Sequence, residues 1–289
     1  MLSHSQNYLN NKEIVTKLIN FVDFKKANLI IEIGSGKGII TEQLLSKSPD
    51  KIIAIEADPK LYNLLREKFR TVDGDKLEIV SGSVLNYRFP KIPFLVVSNI
   101  PFNITADIIR KITQDGSALE AAYLIVQKEA AVKFIGPPHA HSPLFSHFLN
   151  ITYKIKSIMD ISKSNYSPRP RYDTTFISIE KREQKVFSNL YYTEQFKDFL
   201  VYLFERRRPF IKDTLRIVMS NLQSKIILKN LKIDERRDIK SVYFNEWVDI
   251  FNEFSNHVNQ NSFRKISGSY KKLVYGQGML KKVHRTRGD

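Results

Sequence analysis

Apolar positions along this chain change period several times. From Lys12 to Val22 they recur at helical spacing, whereas Leu29 to Ile33 is a short apolar run that ends in a glycine cluster. Runs of the second kind predict strands buried on both faces, which lose the apolar/polar alternation of a half-exposed strand. A helix is expected over Thr41 to Leu45, a strand over Lys51 to Ile55 and a helix over Leu61 to Phe69. Leu77 to Val80, Phe94 to Val97 and Ala121 to Val126 read as further strands, with a helix from Thr105 to Ile112. Strand alternating with helix predicts βαβ units with right-handed crossovers on a parallel sheet, hence an α/β lobe.

After Glu180 helical periodicity with charged faces takes over, in Tyr191 to Leu203, Phe210 to Leu222 and Trp247 to Phe254. The chain is therefore read as an α/β domain over 1–180, a small helical domain over 181–260, and a basic, mobile tail over 261–289 that carries Lys271, Lys272, Lys281, Lys282, Arg285 and Arg287.

Charge adds a partner to this picture. Lys and Arg number 46 against 30 Asp and Glu, a net +16. Such an excess favours a polyanion, nucleic acid first, because cations that neutralise phosphates release condensed counterions; an anionic membrane surface is the second candidate. No stretch approaches the roughly 18 apolar residues of a membrane span, and the polar N-terminus does not read as a signal peptide. A cytoplasmic protein is expected. With no cysteine in the chain, disulfides, Cys-ligated metals and a cysteine nucleophile are excluded.

The chemistry begins at Glu32-Ile33-Gly34-Ser35-Gly36-Lys37-Gly38, between a strand and a helix. Glycines let the backbone turn sharply and approach a ligand. In a dinucleotide loop the third glycine would come one residue later, and the Gly-Lys-Ser/Thr ending of a triphosphate loop is missing. Gly-x-Gly-x-Gly after a first strand is the pattern associated with S-adenosylmethionine. Glu56, closing the next strand, has the two acceptor oxygens needed for a ribose diol. Glu32 either orients the methionine end of the cofactor or accepts loop amides; the sequence leaves both open.

Ser98-Asn99-Ile100-Pro101-Phe102 follows another strand, at the carboxyl end of the sheet where open α/β folds bind ligands. An adenine amino group is a poor nucleophile because its lone pair is delocalised into the ring. Asn99 Oδ1 and the Ile100 carbonyl are positioned in sequence to accept its hydrogens, Pro101 to fix the backbone and Phe102 to stack on the base. Such chemistry calls for no metal and no general base.

Together, Glu32 to Gly38 and Asn99 to Phe102 resemble the rRNA adenine N6-methyltransferases, the family of the erythromycin-resistance (Erm) enzymes and the KsgA-type small-subunit dimethyltransferases. Ser5-Gln6-Asn7-Tyr8-Leu9 is similar to that family's Ser-Gln-Asn-Phe-Leu, which implies cofactor contacts for Asn7 and Leu9. Tyr166-Ser167-Pro168-Arg169-Pro170-Arg171 resembles its Phe-x-Pro-x-Pro-Lys, which implies a second stacking face at Tyr166. The resemblance implies a class I, Rossmann-like fold with a mostly parallel seven-stranded sheet and a C-terminal helical domain. Gly-Ser-Gly-Lys-Gly and Asn-Ile-Pro-Phe look more like the Erm branch. That branch acts on the peptidyl-transferase loop of 23S rRNA, naked or in early assembly intermediates, and gives resistance to macrolides, lincosamides and streptogramin B. Two positions depart from the pattern. Ser83 stands where an acid usually meets the cofactor's adenine amino group, and Phe102 replaces the commoner tyrosine, which leaves mono- against dimethylation open.

Arg206, Arg207, Arg208, Lys212 and Arg216 are expected to grip RNA phosphates, His139, His141 and His147 to be loop histidines rather than metal ligands, and Trp247 to be core. A monomer is the expected state. The competing readings are a KsgA-type ribosome-assembly enzyme, a binding protein related to mitochondrial transcription factors, a DNA adenine methyltransferase, and a nucleic-acid chaperone driven by charge alone. Ile100 argues against the DNA enzymes, which normally have a proline there.

Overall fold

The structure is a computed structural model that describes residues 8–72, 74, 76–138, 144–258 and 260–276. The chain divides into two compact units: the first comprises the residues through Ala131 together with Tyr153–Arg182, and the second comprises Val132–Thr152 and everything from Glu183. Residues 132–152, which the sequence reading puts in the α/β domain, thus cluster with the helices that follow residue 182.

The first unit is built on seven strands: β1 Leu29–Ile33, β2 Lys51–Glu56, β3 Leu77–Ser81, β4 Phe94–Asn99, β5 Leu119–Gln127, β6 Tyr153–Ile161 and β7 Thr174–Lys181. Their order is β3-β2-β1-β4-β5-β7-β6. β7 is antiparallel to both β5 and β6, and the remaining pairs are parallel. All five residues of β1 are buried, as expected of a strand covered on both faces. Helices α1 Lys12–Ile19, α2 Ile39–Leu45, α3 Pro59–Lys68 and α4 Thr105–Ile112 alternate with the parallel strands. Two of them start on side-chain caps: the Asn11 carboxamide accepts from the Glu13 and Ile14 amides, and the Asp58 carboxylate from the Lys60 and Leu61 amides just beyond Pro59.

The sequence runs outward from β1 to β3 and then returns to β4 on the other side of β1. The loops leaving β1 and β4 therefore diverge, and the crevice between them is where open sheets bind ligands. β4 runs two residues past the expected end, so Asn99 is the last residue of a strand.

The chain leaves the first unit within α5 Lys128–Ile135. The second unit contains α6 Leu144–Thr152, α7 Leu190–Phe204, α8 Ile211–Leu215, α9 Asn221–Asn230, α10 Phe244–His257 and α11 Gln260–Ile266. Phe196, Phe199, Trp247, Phe251 and Phe254 are fully buried in its core, which puts Trp247 where the sequence reading has it. The single helix expected from Phe210 to Leu222 is instead two. α8 ends at Leu215, and α9 restarts behind a capping box in which Ser220 accepts from the Gln223 amide and Gln223 Oε1 from the Ser220 amide. The tail expected from residue 261 also begins later. Ile266 and Ser269 are buried, residues 269–276 are again helical, and the Asp198 carboxylate accepts from the Gly268 and Tyr270 amides, each at 2.8 Å. Lys281, Lys282, Arg285 and Arg287 lie outside the described residues. Among the described residues no helix is long and apolar enough to cross a membrane.

Candidate active site

The glycine loop leaves β1 at the crevice. Gly34 and Ser35 donate to the Ile55 carbonyl at 2.8 and 3.3 Å, which ties the loop to the end of β2. Two glycines are required by their surroundings. At Gly36 (φ +56°) an added Cβ would lie 3.1 Å from the Tyr8 ring, and at Gly38 (φ +76°) it would lie 2.7 Å from Phe69 and 2.9 Å from Leu65. Side chains other than glycine rarely adopt such a backbone. The first lets Tyr8 cover the loop, and the second seats the start of α2 against α3. Gly34 faces Pro101, whose Cδ is 3.6 Å from the site of a Cβ. The loop and the Asn99–Phe102 segment are therefore neighbours, as the sequence reading requires.

Glu56, 2% exposed, is held by backbone donors: the Gly36 amide on Oε2 at 2.8 Å and the Asp58 amide on Oε1 at 2.9 Å. Each carboxylate oxygen has a second lone pair left for a diol. Glu32 is buried at the end of β1, just before the loop. Its Oε2 accepts the Thr41 hydroxyl at 2.5 Å, within the first unit's interior. Burial pushes its carboxyl up to about 8 despite that bond, with Glu56 adding in the same direction, so near neutrality it is largely the uncharged acid. Ser83 lies exposed in the turn after β3, where its hydroxyl accepts the Leu85 amide at 3.3 Å; the preceding Gly82 amide donates to the Glu56 carbonyl at 2.8 Å, which sets this turn beside Glu56.

On the other side of the crevice, the Ser98 hydroxyl donates to the Ile33 carbonyl and joins the ends of β4 and β1. Asn99 follows, half-buried, and Ile100 drives its side chain into the interior, so that its backbone has little freedom. Pro101 fixes φ at −60°, and Phe102, half-exposed, opens a short 3-10 turn whose Pro101 and Phe102 carbonyls lie 3.5 and 3.2 Å from the Thr105 hydroxyl. Thr105 escapes a motif-based reading because it acts on the backbone of the segment from beyond its end, and Ser98, though part of the segment, has a role only through a strand 65 positions away.

The N-terminal and Pro-rich motifs also meet. Leu9 pairs with Tyr166 and Tyr8 with Ser167 in a short antiparallel ladder. Leu9 buries its side chain in the core, so only its backbone is left to face a ligand. Asn7 lies outside the described residues. Tyr166 is 4% exposed, with its hydroxyl 2.8 Å from Thr174 Oγ1 and its titration pushed up to about 12 by burial. That environment makes it a fixed part of the interior and departs from the open stacking face implied by the resemblance. Tyr8, which the sequence reading leaves without a role, is the ring that lies over the glycine loop, with Lys37 Nζ 5.3 Å from its centroid. The motif around it was the available signal.

The basic residues assigned to RNA lie in the second unit and are not equivalent. Lys212 is paired with Glu235 and Arg216 with Asp213, while Arg206 lies over the Tyr202 ring and donates to the Tyr202 carbonyl. Arg207 and Arg208 are exposed and make no side-chain ion pair among the described residues. Of the three histidines, His139 and His141 lie outside the described residues. His147 corrects the loop expectation: it is fully buried on α6, ringed by Phe204, Phe244 and Trp247 at 6.0 to 6.4 Å, with neither ring nitrogen hydrogen-bonded. Among the described residues no group of three His, Cys, Asp or Glu side chains could hold a metal.

Comparison with known proteins bears directly on this site. The family profile described as ribosomal RNA adenine dimethylase matches residues 2–256. An "rRNA adenine N-6-methyltransferase" of Bacillus licheniformis is 26% identical, over 88% of this chain and 86% of its own length. A "Ribosomal RNA small subunit methyltransferase A" of Mycoplasmopsis pulmonis is 30% identical, over 73% of this chain and 81% of its own. Among solved structures, the 23S rRNA methyltransferase ErmE superposes with a TM-score of 0.77 at 20% identity, covering 86% of this chain and all of that one. At that identity the superposition speaks for the fold.

Proposed function

This chain belongs to the ribosomal RNA adenine dimethylase family, and from that premise we propose that it methylates one adenine in the peptidyl-transferase loop of 23S rRNA and so confers macrolide, lincosamide and streptogramin B resistance. At the level of the family the activity is plain: the protein is an rRNA adenine N6-methyltransferase dependent on S-adenosylmethionine. The cofactor supplies an electrophilic methyl on a cationic sulfur. In this reading the glycine loop and Tyr8 receive its adenosine and Glu56 its ribose hydroxyls. Asn99 Oδ1 and the Ile100 carbonyl accept the two amino hydrogens of the target adenine, which localises the nitrogen lone pair. Phe102 stacks on the base. Transfer would form the carbon–nitrogen bond as the methyl–sulfur bond breaks, leaving the cofactor as a neutral thioether and releasing one amino proton to solvent. Ser83, holding a turn beside Glu56, takes the place of the usual acid near the cofactor's adenine. Arg206, Arg207, Arg208, Lys212 and Arg216 are the proposed phosphate contacts, with Arg207 and Arg208 foremost. A single protomer acts on the RNA in the cytoplasm.

The observation that carries this reading is the convergence at one crevice of the glycine loop with Pro101 and of Glu56 with Gly36. The Erm branch is supported by Gly-Ser-Gly-Lys-Gly and Asn-Ile-Pro-Phe and by relatives such as that of Bacillus licheniformis. The second reading, small-subunit dimethylation during ribosome assembly, is favoured by the relative from Mycoplasmopsis pulmonis. Incubation with labelled S-adenosylmethionine and either naked 23S rRNA or small subunits lacking the modification, followed by mapping of the label, separates the two. Label in the peptidyl-transferase loop supports the first, label only in small-subunit RNA replaces it with the second, and no transfer to any RNA refutes both.

A further inference from the structure

A groove of about 790 Å³ opens within the helical unit, between the start of α7, the last turns of α10 and α11. That is within the roughly 300–1,000 Å³ of sites that take nucleotide-sized ligands. Phe187 and Phe263 form part of its lining; Phe187 is buried and packs on Phe196, and Phe263 packs on Phe254. At the rim Tyr191 and Tyr192 are 65% and 41% exposed, with ring centroids 5.8 Å apart. Two exposed neighbouring tyrosines are rigid, amphipathic contact surface that loses little entropy on binding.

The polar part of the lining is unusual for a solvated helix face. Asn252 and Asn256 stand one turn apart on α10, Gln260 and Arg264 one turn apart on α11, and Gln195 faces them from α7. Among the described residues no carboxylate lines the groove. The acids of α10, among them Asp249 and Glu253, fall outside the lining. None of the four carboxamides is hydrogen-bonded to a described residue. Asparagine is a weak helix former, and a face kept only for solubility would favour Lys or Glu. Carboxamides offer donors and acceptors together, as base edges require.

We propose that this groove binds one unpaired nucleotide of the RNA substrate, with the base against Tyr191 and Tyr192, its edge on the carboxamides and its phosphate on Arg264. The proposal rests on the reading of the chain as an RNA methyltransferase. It adds a contact for single-stranded RNA in the second unit, separate from the Arg206–Arg208 cluster. Aromatics with neutral amides and one cation suit an unpaired nucleotide, whereas a duplex would present its backbone and keep its base edges paired.

The test uses the full chain and whichever rRNA transcript the wild-type protein methylates. Replacing both tyrosines (Tyr191→Ala with Tyr192→Ala) is expected to weaken RNA affinity about tenfold or more, with the salt dependence unchanged. Asn256→Asp, which puts a carboxylate in the groove, is expected to do the same by repulsion. Arg264→Ala should reduce the slope of log affinity against log salt by about one. The KM for S-adenosylmethionine and the kcat at saturating RNA should stay at wild-type values. Irradiation of a 4-thiouridine-substituted transcript should give adducts on Tyr191 or Tyr192, and single-stranded poly(U) should compete better than duplex RNA. Affinities within twofold of wild type for both the tyrosine pair and Asn256→Asp, adducts confined to other peptides, or equal competition by duplex would overturn the proposal. Each leaves methyl transfer intact, so it is distinguishable from failure of the underlying reading, in which the wild-type chain methylates no RNA.

Discussion

The Gly36 amide and the Glu56 carboxylate, 20 positions apart in sequence, are joined at 2.8 Å, and the Asp58 amide holds the other carboxylate oxygen at 2.9 Å. The loop fixes the acid, and the acid fixes the loop. Glu56→Ala is therefore expected to lower affinity for S-adenosylmethionine about 10- to 100-fold, the range for hydrogen bonds to a charged group. Calorimetric titration measures this, and an unchanged affinity would remove Glu56 from the cofactor site.

Asn99 belongs to the acceptor side of the crevice. Asn99→Ala should reduce kcat by about 10²–10³, the scale for loss of one preorganised polar group, and leave cofactor affinity within about twofold. Single-turnover transfer together with titration gives both quantities. Weakened cofactor binding at undiminished turnover would reverse the roles of Asn99 and Glu56.

Gly38→Ala combines a left-handed backbone with a Cβ 2.7 Å from Phe69. A loss of about 1–3 kcal/mol in urea denaturation is expected, partly recovered when Phe69→Leu makes room. Wild-type stability in the single variant would show that α3 yields freely.

His147 makes the fold sensitive to acid. Burial lowers its titration to about 3, whereas in the unfolded chain it titrates near 6.5. Between those values the unfolded state binds a proton that the folded state does not, so stability is full above about pH 6.5 and falls as pH drops toward 3. Relative to the parent chain, His147→Phe should therefore be more stable at pH 5.0 than at pH 7.5 by about 1 kcal/mol or more in paired denaturation curves. An unaltered pH dependence in that variant would assign the effect elsewhere.

Glu32 acts in the opposite sense. Its folded value of about 8 lies above that of the unfolded chain. Its contribution is therefore present in full below about pH 4.5 and is lost as pH rises through about 8. Glu32→Gln should remove this alkaline decline in denaturation profiles from pH 6 to 9; a decline that persists in the variant would exclude Glu32 as its source.

The parallel half of the sheet was legible because β1, β2, β4 and β5 are apolar on both faces and leave no ambiguity of period. β6 and β7 were harder to place. β6 is an edge strand in which Lys154 and Lys156 alternate with buried positions until the register shifts between Ser157 and Met159, and β7 buries Thr174, Thr175 and Ser178. The cofactor loop and Asn99–Phe102 were legible as spacing, since each is local. The cover that Tyr8 gives Gly36 was not, because it depends on a ladder between segments nearly the whole α/β unit apart. His147 was misread for a related reason: neighbouring prolines suggest a loop, and only tertiary packing of α6 shows the ring to be core. The pairing of Lys212 with Glu235 was not legible because the two lie 23 positions apart, beyond any local pattern.

The Ser98–Ile33 bond closes a separation of 65 positions, and the ladder at Tyr8 and Ser167 a longer one. Contacts of that span cost more loop-closure entropy and form slowly. In kinetic terms the crevice is therefore expected to form late, after the local helices α1, α2 and α3. S-adenosylmethionine should therefore favour the completed state by mass action, raising the unfolding midpoint in proportion to the logarithm of its concentration while leaving the early folding rate untouched.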